Sequence, residues 1–218
     1  MKGRHLIALA AATLAAAGCQ KPKQEAAGPA AAPAAAPAAA ATDSLPVVVL
    51  ETSMGRIVMQ LDRNEAPRSV ENFLAHVTRH FYDGLVFHRV IPGFVIQAGV
   101  LTAAGMERTS NAPPVPNEAD NGLKNVRGAV ALARTADPQS GGEQFFIDLA
   151  NNRMLDFTAK TDAGWGYAVF GHVIQGMDVV DRISHVPTTT SGGYQNIPVK
   201  PVVIEKAYVD TGSVSGGR

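Results

Sequence analysis

Alternation of apolar and polar positions sets in near Leu45. In VVVLETSMGRIVMQLD two runs rich in β-branched residues flank Ser53-Met54-Gly55, and Ile57, Met59 and Leu61 alternate with Arg56, Val58 and Gln60. A period of two with one apolar face predicts a β-hairpin with one buried side. The period then changes. In APRSVENFLAHVTRHFYDG the residues Val70, Phe73, Leu74 and Val77 fall at i, i+3, i+4 and i+7, the stripe of a helix packed on a core. Pro67 suits the first turn of that helix, where no backbone N–H is needed. A shorter helix is predicted in GMDVVDRISHV, with Met177, Val180 and Ile183 on one side and Asp178 in its first turn. A proline-bounded run, PVVIEKAYV, predicts a strand near the end of the patterned region.

Strands therefore dominate, turn signals separate them, and helices fall only near the two ends of the domain. That distribution predicts an antiparallel sandwich or barrel rather than alternating βαβ wrapping. Gly-rich stretches such as Asp162 to Tyr167 read as loops, and none has a P-loop lysine or the strand-to-helix context of a dinucleotide fingerprint.

The first 44 residues follow no such pattern. MKGRHLIALAAATLAAAGCQ has positive charge at Lys2 and Arg4, an apolar stretch from Leu6 to Ala17 and small residues before Cys19, which is the layout of a secretory signal too short to remain as a membrane-spanning helix. From Gln20 to Ser44 the chain is Ala, Pro and a few polar residues around PAAAPAAAPAAA, with nothing that could bury an apolar face. Proline stiffens such a tract, so ~25 residues could hold a domain up to roughly 75 Å from an anchor. The expected organisation is a signal peptide over 1–18, a tether over 19–44, a domain over 45–212 and a tail over 213–218.

Composition removes several classes of function. Lys plus Arg equal Asp plus Glu at 19 each, so no basic field exists to draw nucleic acid or anionic lipid. Cys19 is the single cysteine, and a mature domain without cysteine has no disulfide, thiol nucleophile or cysteine metal site. His76 and His80 are four apart, but Val77 follows where a zinc-binding helix needs glutamate, so both read as a solvated helix end and no metal is expected. No serine has an evident base and orienting acid around it. His88 alternates away from Arg89 and reads as a hydrogen-bonded structural histidine on the opposite face.

Arg89 is the residue that the pattern does not absorb. It lies within FHRVIPGFVIQAG, an otherwise apolar, aromatic-rich stretch, and charges are rarely buried without a partner. If the chain doubles back around Pro92-Gly93-Phe94, Arg89 and Gln97 stand equally far from Gly93 and become cross-strand neighbours. Gln97 could then hold the guanidinium by one hydrogen bond, with Phe87, Phe94, Val95 and Phe145 or Phe146 as apolar walls. Such a cation suits a neutral polar ligand such as a peptide; the alternative is a pair with a distant Asp or Glu.

FHRVIPGFVIQAG, then NEADNGLKNVRGAVALARTADPQSGGEQFF, then YAVFGHVIQGMDVVDRI, resemble in order the cyclophilin family of peptidyl-prolyl cis-trans isomerases, and most closely its periplasmic bacterial branch. The resemblance spans about Val47 to Val209. It implies a mainly β domain, a closed eight-stranded antiparallel barrel capped by two α-helices, with its interior filled and the substrate groove on its outer face. It implies Arg89 as the catalytic arginine, with Phe94, Val95, Phe146, Leu155 and Tyr167 lining the proline pocket. Gln97 would orient the arginine and touch substrate. Arg134, Thr135 and Gln144 would flank the residue before proline, and Met154 would stand at the pocket where cyclosporin-sensitive relatives carry tryptophan, which implies weak cyclosporin binding. Ala98 and Val100 depart from the residues common beside the glutamine, and Val95 is smaller than the usual methionine.

The small residues before Cys19 resemble a lipoprotein lipobox, with Ala16 where leucine is usual. That likeness implies lipid attachment at Cys19, a membrane anchor of more than one acyl chain, and with Gln20 following, periplasmic tethering to the outer membrane; cleavage without a lipid is the alternative. No cofactor is implied. The expected partners are proline-containing polypeptides met by a monomer, with no nucleic acid. A proline-binding holdase or scaffold without catalysis is the competing functional reading.

Overall fold

The computed structural model describes residues 45–211. The expected signal peptide, tether and tail, and with them Cys19, fall outside the described residues. The elements follow in order: β1 (Val47–Thr52), β2 (Gly55–Leu61), α1 (Pro67–Thr78), β3 (Leu85–Ile91), β4 (Val95–Thr102), β5 (Ala129–Leu132), β6 (Phe145–Asp148), β7 (Val169–Gln175), α2 (Met177–Ser184), β8 (Thr188–Ser191), β9 (Tyr194–Pro198) and β10 (Ile204–Asp210). The predicted first hairpin forms, with Leu50 opposite Ile57 and Val48 opposite Met59, and all four of those residues are buried.

Eight strands join into one antiparallel sheet in the order β10-β1-β2-β7-β5-β6-β4-β3, and β8 pairs with β9 separately. The sheet is a curled half-barrel, which corrects the expected closed barrel: β10 and β3 are its edges. They meet at a seam rather than along a ladder, through the isolated Val86–Val203 bridge and the bonds Gly84 N–H to Ile204 O (2.8 Å) and Phe87 N–H to Val202 O (3.0 Å). The chain entering β10 carries Pro201, and proline has no N–H with which to continue a ladder. The β8-β9 hairpin packs Tyr194 and Ile197 onto Val86, Val100 and Leu101.

The concave side is filled. Val70, Phe73 and Val77 of α1 are buried as the stripe predicts. Phe73 lies 5.1 Å from the rings of both Tyr82 and Phe170 and 5.2 Å from Phe145, so one helical side chain organises an aromatic cluster. Contacts of this kind add to the area each ring removes from water.

The start of α1 has Pro67 in place, and a distant residue completes it. The Glu118 carboxylate accepts from Arg68 N–H (3.1 Å), Ser69 N–H (2.8 Å) and Ser69 Oγ (2.7 Å), satisfying orphan donors at the positive end of the helix. The helix stops at Thr78, short of the patterned stretch, and His80 takes φ 56° just beyond it. His76 is not solvated as expected: it is buried, donates from Nδ1 to Asn72 O (2.7 Å) and packs 5.0 Å from Phe81. His80 instead faces Asp83 at 3.2 Å.

Candidate active site

Residues on the convex side of the sheet form a second apolar cluster, with Val95, Ala129, Ala131, Phe146 and Val169 buried and Phe94, Leu155 and Tyr167 packed against them. A cleft of about 300 Å³ opens over this floor, lined by Arg89, Phe94, Val95, Gln97, Ala133, Arg134, Phe146, Leu155 and Tyr167. A second cleft of about 180 Å³ shares Gln97, Ala133 and Arg134 with it and continues along Thr135, Ser140, Gly142, Glu143 and Gln144.

Arg89 reaches this face because β3 is irregular. Phe87 pairs with Ala98 but Arg89 pairs with Gln97, so one extra residue on β3 opposes none on β4. Without that bulge Phe87 and Arg89 would share a face; with it Phe87 enters the core and Arg89 turns to the cleft. The cross-strand pairing of Arg89 with Gln97 is as the turn at Gly93 predicts. Arg89 NH1 lies 3.5 Å from Gln97 Oε1, Gln97 Nε2 donates to Gln144 Oε1 at 3.0 Å, and the guanidinium carbon sits 5.7 Å from the centre of the Phe94 ring. Among the described residues no carboxylate lies within ion-pair distance of Arg89, which disposes of the distant Asp or Glu alternative.

The walls are fixed by their own contacts. Phe146 and Tyr167 meet edge to face at 5.5 Å. Arg134 lies over Tyr167 at 4.7 Å and donates to Gly166 O (2.8 Å) and Thr135 O (2.9 Å), so its donors are engaged along the wall. Thr135 is held by Ser140 through N–H to Oγ (2.9 Å) and Oγ1 to Oγ (2.8 Å). Gly99, at φ 116°, lets β4 approach the Glu143-Gln144 backbone: a Cβ there would stand 2.6 Å from Glu143 O.

Two expected positions are corrected. Met154 is 82% exposed and lines neither cleft. It belongs to a single 3-10 turn, Arg153–Leu155, and only Leu155 of that turn faces the cleft. His88 is buried, but it packs edge-on against Tyr194 at 5.6 Å and its Nδ1 has no hydrogen-bond partner among the described residues. The bulge breaks the alternation on which the opposite-face assignment rested. Burial first, and then the Arg89 charge beside it, push the His88 imidazole down to about 4, so it is neutral near pH 7. Ala133, Ser140, Gly142 and Glu143 line the site without having been singled out; small and polar loop residues carry no periodic signal that would mark them.

Residues 47–209 match the family model described as cyclophilin type peptidyl-prolyl cis-trans isomerase/CLD. The chain belongs to the cyclophilin family. It is 53% identical over 165 residues to the peptidyl-prolyl cis-trans isomerase cyp18 of Streptomyces antibioticus, covering 76% of this chain and 99% of that protein. Isomerase A of Dickeya dadantii is 49% identical, over 74% of this chain and 83% of its own, and isomerase B of Escherichia coli is 45% identical, over 75% and 99%. A cyclophilin crystal structure from Cryptosporidium parvum superposes with a TM-score of 0.63 at 23% identity, covering 77% of this chain and 98% of that one, which shows a shared fold. This cyclophilin is a peptidyl-prolyl cis-trans isomerase. That reaction rotates a bond and breaks none, so it calls for no nucleophile or metal.

Proposed function

We propose that Arg89 is the catalytic residue and that the proline ring of the substrate seats on Phe94, Val95, Phe146, Leu155 and Tyr167. Gln97 orients the guanidinium and contacts substrate, while Arg134, Thr135 and Gln144 flank the residue before proline. The reading is carried by one observation: a guanidinium with no carboxylate partner among the described residues, steadied by a single neutral amide, at the edge of an apolar cleft.

The chemistry follows from the peptide bond. Rotation about C–N costs about 18–20 kcal/mol because resonance makes the bond partly double, and an uncatalysed X-Pro switch takes roughly tens to hundreds of seconds. In the twisted state resonance is lost and the prolyl nitrogen gains a lone pair. A guanidinium donor aimed at that nitrogen binds the twisted amide more tightly than either planar form, and only such differential binding raises the rate. Turnover at the fast end for enzymes, ~10³ s⁻¹, needs on the order of 7 kcal/mol, whereas one charged hydrogen bond supplies about 1.5–3 kcal/mol. Removing the amide from water and gripping the proline ring while the preceding carbonyl swings supply the rest.

The physiological substrates in this reading are unfolded or flexible proline-containing chains of the cell envelope, reached by a monomeric domain on an Ala/Pro tether anchored to the outer membrane through lipid on Cys19. The composition of residues 1–44 supports it.

Isomerisation of an Ala-Pro peptide by wild type and by Arg89→Ala tests the catalytic assignment. The expected result is a fall in kcat/KM of about ten- to a hundredfold with peptide binding retained. Equal rates would sink the assignment and leave the cleft as a proline-binding surface.

A further inference from the structure

Behind the proline cleft lies a buried carboxyl that the isomerisation chemistry does not use. Asp148 ends β6 and is completely buried. Phe146 faces the cleft and Ile147 the core, so strand alternation puts Asp148 on the cleft side, in register with Val95. Its Oδ1 accepts from Asn152 Nδ2 at 2.6 Å, and its Oδ2 has no partner among the described residues. The same Asn152 amide donates to Phe94 O at 2.9 Å. Leu149 N–H also donates to Phe94 O (2.8 Å), and Leu155 N–H donates to Asn152 O (2.8 Å). Asp148 and Asn152 thus tie together Phe94 and Leu155, two walls of the cleft.

The charge state of Asp148 bears on that tie. An anionic oxygen with no donor in a dry site costs more than the hydroxyl of a neutral acid in the same place. The neighbouring charges give no relief. Asp156, whose carboxylate accepts from Asn125 N–H (2.8 Å) and Nδ2 (3.1 Å), adds repulsion. Arg127 directs its guanidinium to Leu149 O (3.0 Å) and to Asp181 (2.8 Å), and Arg89 is engaged at Gln97 and Phe94. Burial pushes the Asp148 carboxyl up to about 7, with the Asn152 bond opposing and Asp156 adding.

We propose that Asp148 is a positioning residue for the proline cleft, and that its carboxyl must carry a proton for Phe94 and Leu155 to hold the closed wall. Ionisation draws water toward Oδ2 and pulls the shared Asn152 amide toward the stronger acceptor Oδ1, away from Phe94 O, which loosens that wall and lowers affinity for the proline ring. The idea rests on the assignment of the cleft to proline made above. The same domain therefore binds substrate best on the acid side of neutrality.

Two measurements on the full chain decide it. The first is a ¹³C NMR titration of the Asp148 carboxyl, assigned by its loss in Asp148→Asn. A midpoint near neutrality is expected, and one in the ordinary carboxylate range would overturn the proposal. The second is KM and kcat for an Ala-Pro peptide between about pH 5.5 and about pH 8.5. In wild type KM rises about threefold or more across that interval while kcat changes less. In Asp148→Asn, which keeps the shape and the acceptor oxygen but cannot ionise, the ratio of the two KM values falls to about one. The same rise in both proteins would overturn the proposal. Arg89→Ala separates this outcome from the catalytic reading. If that variant retains full kcat while the KM rise still follows Asp148, the catalytic assignment falls and the present one stands.

Discussion

Gly99 makes the Gln97–Gln144 contact possible, and replacing it tests how the cleft is assembled. In Gly99→Ala the new methyl would meet backbone, at 2.6 Å from Glu143 O and 2.7 Å from Gln144 Cα, on a residue whose φ is 116°. Holding an L-residue in such a conformation costs about 1–3 kcal/mol. Forcing a methyl against atoms that cannot rotate away costs a further 1–3 kcal/mol or so. Together these give a loss of about 2–6 kcal/mol, a large part of the roughly 5–15 kcal/mol by which domains of this kind are stable. Two comparison variants divide the sum. Gly93→Ala has a positive φ of 69° with nothing within 4 Å, so it isolates the conformational cost of about 1–2 kcal/mol. Gly171→Ala has a Cβ position 2.6 Å from Gln60 O, on β7 against β2, with no positive φ, so it isolates the crowding away from the cleft. Urea denaturation with an unchanged m-value measures each.

Activity adds a second test, because the backbone atoms that the added methyl would displace are those that hold the Gln144 end of the 3.0 Å bond from Gln97. The expected fall in kcat/KM per folded molecule is about tenfold for Gly99→Ala, with no comparable change for Gly171→Ala. A Gly99→Ala protein as stable as Gly93→Ala would refute the close approach of β4 to the Glu143-Gln144 backbone. A destabilised protein with wild-type kcat/KM would refute the coupling from that backbone to Arg89.

Two further outcomes are expected. His88, depressed to about 4 from an unfolded value near 6.5, binds fewer protons in the folded state, so its contribution is complete above the unfolded value and is lost as pH falls toward the folded one. The difference in stability between wild type and His88→Gln should therefore shrink by about 3 kcal/mol over that interval; because the raised Asp148 group pulls the other way, the difference is the readout, and a constant difference would refute the buried neutral imidazole. Substituting Cys19→Ser should move the protein from the outer-membrane fraction to the soluble periplasm, and identical fractionation of the two proteins would refute the lipid anchor.

The local patterns determined much of this protein. Period two in β1 and β2, the helical stripe of α1 and the turn at Gly93 are short-range signals, and the structure has each of them. The juxtaposition of Arg89 with Gln97 was legible for the same reason, since a tight turn converts sequence distance into cross-strand register. Family motifs pointed to ten candidate site residues besides Met154, and all ten line one of the two clefts.

What tertiary structure alone decided concerns bulges, seams and burial. The extra residue at His88 reverses which face Arg89 presents, and no alternation pattern announces a bulge. The half-barrel seam forms where Val202, Val203 and Ile204 arrive beside Gly84 to Phe87, and the cap on α1 comes from Glu118, 49 residues beyond Ser69. Asp148 and Asn152 look like ordinary polar residues until packing removes them from water. A sequence lists side chains in order, whereas desolvation and hydrogen-bond satisfaction depend on which distant segments arrive around them.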